Sequence, residues 1–165
     1  MIAPQPEITV LGVGNPIMGD DGIGLELLSG VQGACPDPRI EFVDGGTGGM
    51  DLIPVVQDAR KLLILDAIAG ETPGQVRYFT GDQVPRMLSL KLSPHQVGLL
   101  DVLTSARLLG REPDVVTAVG IVPESIDVRL TLSPVVEAAL AEATRQAVAV
   151  IQQWLGDQVP DKENE

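Results

Sequence analysis

Apolar and polar positions divide this chain into alternating extended and helical blocks. Residues 7–14 form an apolar, β-branched run that predicts a first strand, and the run opens into a glycine-rich turn ending on two adjacent acids, Asp20 and Asp21. Helical spacing follows from Gly22 to about Val31 and stops at Gly33 and the turn marked by Pro36 and Pro38. Arg39 to Asp44 alternates as a second strand and enters Gly45, Gly46, Thr47, Gly48 and Gly49, a cluster expected to be irregular. A helix is predicted over 50–58. Residues 61–68 are the clearest buried strand, with Asp66 set inside its apolar end. Gln75 to Phe79 alternates as a more exposed edge strand, and 84–92 reads as irregular or weakly helical.

Ser93 is placed to cap a helix, with Pro94 at its first position, Gln96 closing a capping box and His95 in the first turn. That helix should reach about Leu109 and stop at Gly110. Residues 115–122 predict the last strand. Ser133 and Pro134 repeat the cap-plus-proline device before a long helix whose Val136, Leu140, Ala143, Ala147, Val150 and Trp154 share one face. The order predicts an α/β fold: a three-layer αβα sandwich with a mostly parallel twisted sheet of about five strands and helices on both faces. One domain over residues 1–165 is expected, with a polar tail from about residue 157.

Composition narrows the picture. Hydrophobic residues make up 44% of the 165 but aromatic ones only 2%, so the core must be aliphatic. A formal net charge of -12 with 11 Lys and Arg speaks against nucleic acid and against anionic membrane surfaces as partners. No apolar run approaches the ~20 residues of a membrane span. Cys35 is the single cysteine, and the N-terminus lacks a basic-then-apolar leader, so a cytoplasmic location is expected.

Three polar residues recur at the ends of apolar elements: Asp21, Asp66 and His95. If strands one and three are neighbours, both carboxylates emerge at one sheet edge, and His95 could approach from a third element. Two carboxylates and an imidazole make an open, mixed-donor site suited to Zn, Ni, Mn or Fe. Structural alternatives stand beside this: Asp20 and Asp21 as caps of the first helix, Asp66 bonded to a neighbouring loop, His95 exposed. Cys35, in a proline-flanked loop, reads as structural rather than nucleophilic. Gly12, Gly14 and Asp44 also form part of a dinucleotide-binding fingerprint, but Ile17 stands where its third glycine belongs, and two acids sit where a pyrophosphate would lie.

Five blocks in order, Gly12 to Asn15 with Asp20 to Gly24, Asp44 to Thr47, Asp66 to Ile68, Ser93 to Gln96, and Gly120 to Ser125, resemble the endopeptidases that mature nickel–iron hydrogenases. The resemblance spans Ile8 to about Trp154. It implies a peptidase of carboxylate and metal type that removes the C-terminal extension of a hydrogenase large-subunit precursor after nickel insertion. Asp21, Asp66 and His95 match the family's metal-binding positions and are the implied catalytic residues. The nickel is implied to arrive in the substrate, with no tightly bound metal of the enzyme's own. Asp44, Gly45, Gly46 and Thr47 are candidates for cradling the extension. The competing expectation is a nickel-binding chaperone or sensor that cleaves nothing.

Overall fold

The computed structural model describes residues 5–90 and 94–156, the side chains of residues 94–97 excepted. Its sheet contains β1 (Ile8–Val13), β2 (Ile40–Gly46), β3 (Lys61–Ala67), β4 (Val76–Thr80) and β5 (Val115–Ile121) in the order β2-β1-β3-β5-β4. All neighbours run parallel except β4, which pairs antiparallel with β5 at one edge. The α-helices are α1 (Ile23–Ala34), α2 (Ile53–Asp58), α3 (Gln83–Leu88), α4 (Pro94–Leu108), α5 (Pro134–Glu137) and α6 (Leu140–Gly156).

β1 is buried along its whole length and β3 at every position after Lys61, as expected of central parallel strands covered on both faces. Alternate residues therefore feed two cores. Ile8, Val10, Leu63 and Leu65 meet Leu27 and Val31 of α1 and Ala147, Ile151 and Trp154 of α6. Leu11, Leu62, Ile64 and Ala118 meet Val56 of α2, Val84 of α3, and Leu99 and Val102 of α4. Aliphatic side chains dominate both cores, as the scarcity of rings requires.

Three local expectations are corrected. α1 runs through Gly33 to Ala34, because Leu27, Leu28 and Val31 bury its inner face and outweigh one glycine's low helix propensity. The start of the glycine cluster is regular: β2 extends through Gly46, accommodated by a register shift opposite Gly12 and Val13. The long C-terminal helix is divided into α5 and α6, and Ser133 does not cap it with its hydroxyl, which is engaged elsewhere. The cap expected from Ser93 lies outside the described residues.

Candidate active site

Parallel pairing sets Gly12 of β1 opposite Leu65 of β3, so the loop after β1 and the residue Asp66 leave the sheet at the same edge. That is the carboxyl edge, where open α/β sheets hold ligands. The loop turns at Gly14, whose φ of 144° belongs to glycine; a Cβ there would lie 2.1 Å from the Asp21 carbonyl oxygen. The Gly14 N–H donates to the Gly46 carbonyl at 2.8 Å, tying the loops after β1 and β2 together.

Gly19–Gly22 then forms a single 3-10 turn that packs against β3 and delivers the chain into α1. Neither acid caps α1, whose N-cap is Gly22 without a side-chain bond. Asp21 is 2% exposed, and its Oδ2 accepts the Asn15 N–H at 3.1 Å. Asp66 is wholly buried and its Oδ1 accepts the Ala67 N–H at 2.7 Å. Alternation along β3 assigns Asp66 to the face of Leu62 and Ile64, which α4 covers.

His95 belongs to the first turn of α4; its side chain lies outside the described residues. The α4 backbone is nonetheless close to the site. It packs on the 3-10 turn Gly49–Leu52 that follows the glycine cluster, and a Cβ on Gly98 would stand 3.1 Å from the Gly49 Cα. The structure thus gathers Asp21, Asp66 and the glycine cluster at one sheet edge and packs α4 on the turn that follows that cluster. Asp44 and Thr47 are exposed on the rim, where the Asp44 carboxylate accepts the Gly46 N–H at 3.0 Å. Two carboxylates with an imidazole would suit a borderline divalent cation.

Asp20 has a role that the sequence did not disclose. It is wholly buried and faces a segment more than a hundred residues away. Its Oδ2 accepts the N–H groups of Glu124 at 2.9 Å and Ser125 at 3.0 Å and the Ser133 hydroxyl at 2.8 Å; its Oδ1 accepts the Ser133 N–H at 2.7 Å. The Arg129 guanidinium stands 3.9 Å from Oδ1 and donates to the Ser133 Oγ at 2.8 Å. Burial pushes the Asp20 carboxyl upward, but the Ser133 and Ser125 amides, the Ser133 hydroxyl and the Glu124 amide outweigh it and hold the carboxyl below its ordinary value. The only hint in the sequence was two adjacent acids in one tight turn, which cannot both face the same way.

The same segment leaves Val128 82% and Leu130 81% exposed, beside Ile17 at 53%. Arg129 between them is bridged to Met18, its N–H donating to the Ile17 carbonyl at 3.0 Å. Cys35 lies at the opposite end of α1, about 18 Å along the helix axis. Burial, reinforced by Asp37 and partly opposed by Arg39, pushes its thiol up, away from nucleophilic thiolate character.

This five-stranded α/β sheet is the fold of solved hydrogenase maturation proteases, and the family model of that description, HycI, matches residues 25–150. The chain belongs to the hydrogenase maturation protease family. It is 36% identical over 157 residues to the hydrogenase 2 maturation protease of Escherichia coli, covering 93% of this chain and 95% of that one. The hydrogenase expression/formation protein HoxM of Cupriavidus necator is 36% identical across 93% of this chain and 78% of its own. Among solved structures, the hydrogenase maturating endopeptidase HybD from Escherichia coli superposes with a TM-score of 0.83 at 35% identity, over 89% of this chain and 93% of that one. The NiFe hydrogenase maturation protease HybD from Thermococcus kodakarensis superposes with a TM-score of 0.70 at 26% identity, over 87% and 98%.

Proposed function

We propose that this protease cuts the C-terminal extension from the precursor of a nickel–iron hydrogenase large subunit once nickel has been inserted, and that nickel in the substrate is what the site recognises. The observation that carries this reading is the pair of buried carboxylates, Asp21 and Asp66, on adjoining elements at the carboxyl edge of β1 and β3. A cation delivered by the substrate would offset the negative charge of two such carboxylates as it docks. His95, from the first turn of α4, is the proposed third donor.

In the cleavage step, a carboxylate of the pair takes the proton from the water that attacks the peptide carbonyl and returns it to the amide nitrogen as the C–N bond breaks; a metal carried by the substrate would supply polarisation of that carbonyl. The rim formed by Asp44, Gly45, Gly46 and Thr47 receives the extension, where small residues let a peptide backbone approach closely. The exposed Ile17, Val128 and Leu130 form an apolar surface for the folded part of the precursor.

Incubation with nickel-loaded and nickel-free precursor tests the reading. A shortened large subunit is expected only in the nickel-loaded sample. Nickel uptake with no shortening of either precursor would overturn the protease role and leave a carrier or sensor.

A further inference from the structure

Asp20 and Asp21 are neighbours on one 3-10 turn, yet their carboxylates bond in different directions: Asp21 to Asn15 in the preceding loop, Asp20 to the segment between β5 and α5. A single turn of four residues has little stiffness of its own, and it joins α1 through the Ile23 N–H, which donates to the Asp20 carbonyl. Its orientation is set from outside. Besides the four bonds to the Asp20 carboxylate, the Asp20 N–H donates to the Ser125 carbonyl at 3.1 Å and the Gly19 N–H to the Arg129 carbonyl at 2.8 Å.

We infer that Asp20 is a positioning residue for the proteolytic reaction: by gathering the amides of Glu124, Ser125 and Ser133 it clamps the turn between sheet and segment and thereby fixes the direction of Asp21. The inference rests on the reading of Asp21 as a site residue. The chemistry requires a carboxylate. Four donors converge on two oxygens, and an asparagine offers only one, so its amide group would meet an N–H of Ser133 or those of Glu124 and Ser125 head-on. The shape would survive while the clamp slackened. Arg129 backs the arrangement, bonding through Nη2 to the Ser133 hydroxyl and through Nε to the Thr131 carbonyl at 3.0 Å.

The test is Asp20→Asn in the full-length, isotope-labelled protein, read by nuclear magnetic resonance and by processing of nickel-loaded precursor. If Asp20 orients Asp21, the Asn15 amide exchanges faster with solvent, and the coupling across its hydrogen bond to the Asp21 carboxylate weakens. In the processing assay kcat falls about 10- to 100-fold, the cost of a supporting group whose loss misplaces a reacting one, with KM nearly unchanged. The positioning role is overturned if the amides of Glu124, Ser125 and Ser133 change and Asn15 keeps its exchange rate and coupling. Should Asp20→Asn not fold, Ser133→Ala removes one hydroxyl from the clamp and is read at Asn15 in the same way, with the same outcome overturning the idea. The resonance measurement needs no substrate. A response at Asn15 with no cleavage even by the unaltered protein would therefore support the clamp and overturn the protease reading instead.

Discussion

Replacing Asp21 or Asp66 by asparagine keeps the volume of a buried side chain and removes its charge, so the chemistry can be separated from the packing. We expect Asp21→Asn, Asp66→Asn and His95→Ala each to lower precursor processing about a hundredfold or more, the scale of losing a group that acts on developing charge. Thermal melts run beside the cleavage assay should keep each variant folded, with losses inside the roughly 0.5–3 kcal/mol of ordinary substitutions. Near-normal processing by Asp21→Asn would remove that residue from the site. Cys35→Ser should process precursor like the parent, because the thiol is held protonated at the far end of α1. Asp21 and Asp66 were legible from sequence as acids closing apolar runs that a parallel sheet would bring to one edge. Asp20 was not, because the partners that give it meaning, Glu124, Ser125 and Ser133, are 104 to 113 positions away and look like ordinary loop residues.

The elements that hold these acids meet backbone to backbone. A Cβ on Gly24 would lie 2.1 Å from the Val13 carbonyl oxygen and 2.4 Å from that of Leu65, so α1 begins directly on the ends of β1 and β3. Gly24→Ala must lift the helix off the sheet, and we expect it to cost about 1–3 kcal/mol or more, seen as a lower urea midpoint with an unchanged slope. The 3-10 turn adds a pH signature. Asp20 is held below its ordinary value in the folded state, so its contribution is complete above the unfolded carboxylate value of about 3.9 and is lost as pH falls through the lower folded value. Melts from neutral pH down to about pH 3 should therefore decline less steeply for Asp20→Asn than for the parent; parallel curves would show that the carboxylate is not what the acid limb titrates. Strand and helix order was readable because hydrophobic period carries it. The break between α5 and α6 was not, since Val136 and Leu140 keep one apolar stripe across it while the Ser133 hydroxyl goes to Asp20 instead of the helix.

For the whole molecule, the site is one edge of the sheet and its surroundings decide what reaches it. Leu130 is exposed and carries little of the fold, so Leu130→Asp should leave the melt unchanged while raising KM for the precursor about tenfold, roughly 1.4 kcal/mol of docking, with kcat preserved. An unchanged KM would move the docking surface elsewhere. Strand order has a further consequence, for the time at which the protein becomes active. β5 lies between β3 and β4, although both precede it in the chain, and among the described residues the carboxylate of Asp20 accepts its hydrogen bonds from Glu124, Ser125 and Ser133. A chain emerging from the ribosome amino end first carries Asp21 and Asp66 early, but the strand that joins β3 to β4 and the donors that steady the turn come late. Ribosome-bound chains stalled with residue 110 just outside the exit tunnel should leave precursor uncut, and cutting should begin only once the donors at 124–133 and the core helix α6 are free. The order in which its strands are made would thus keep the protease inert through most of its own synthesis.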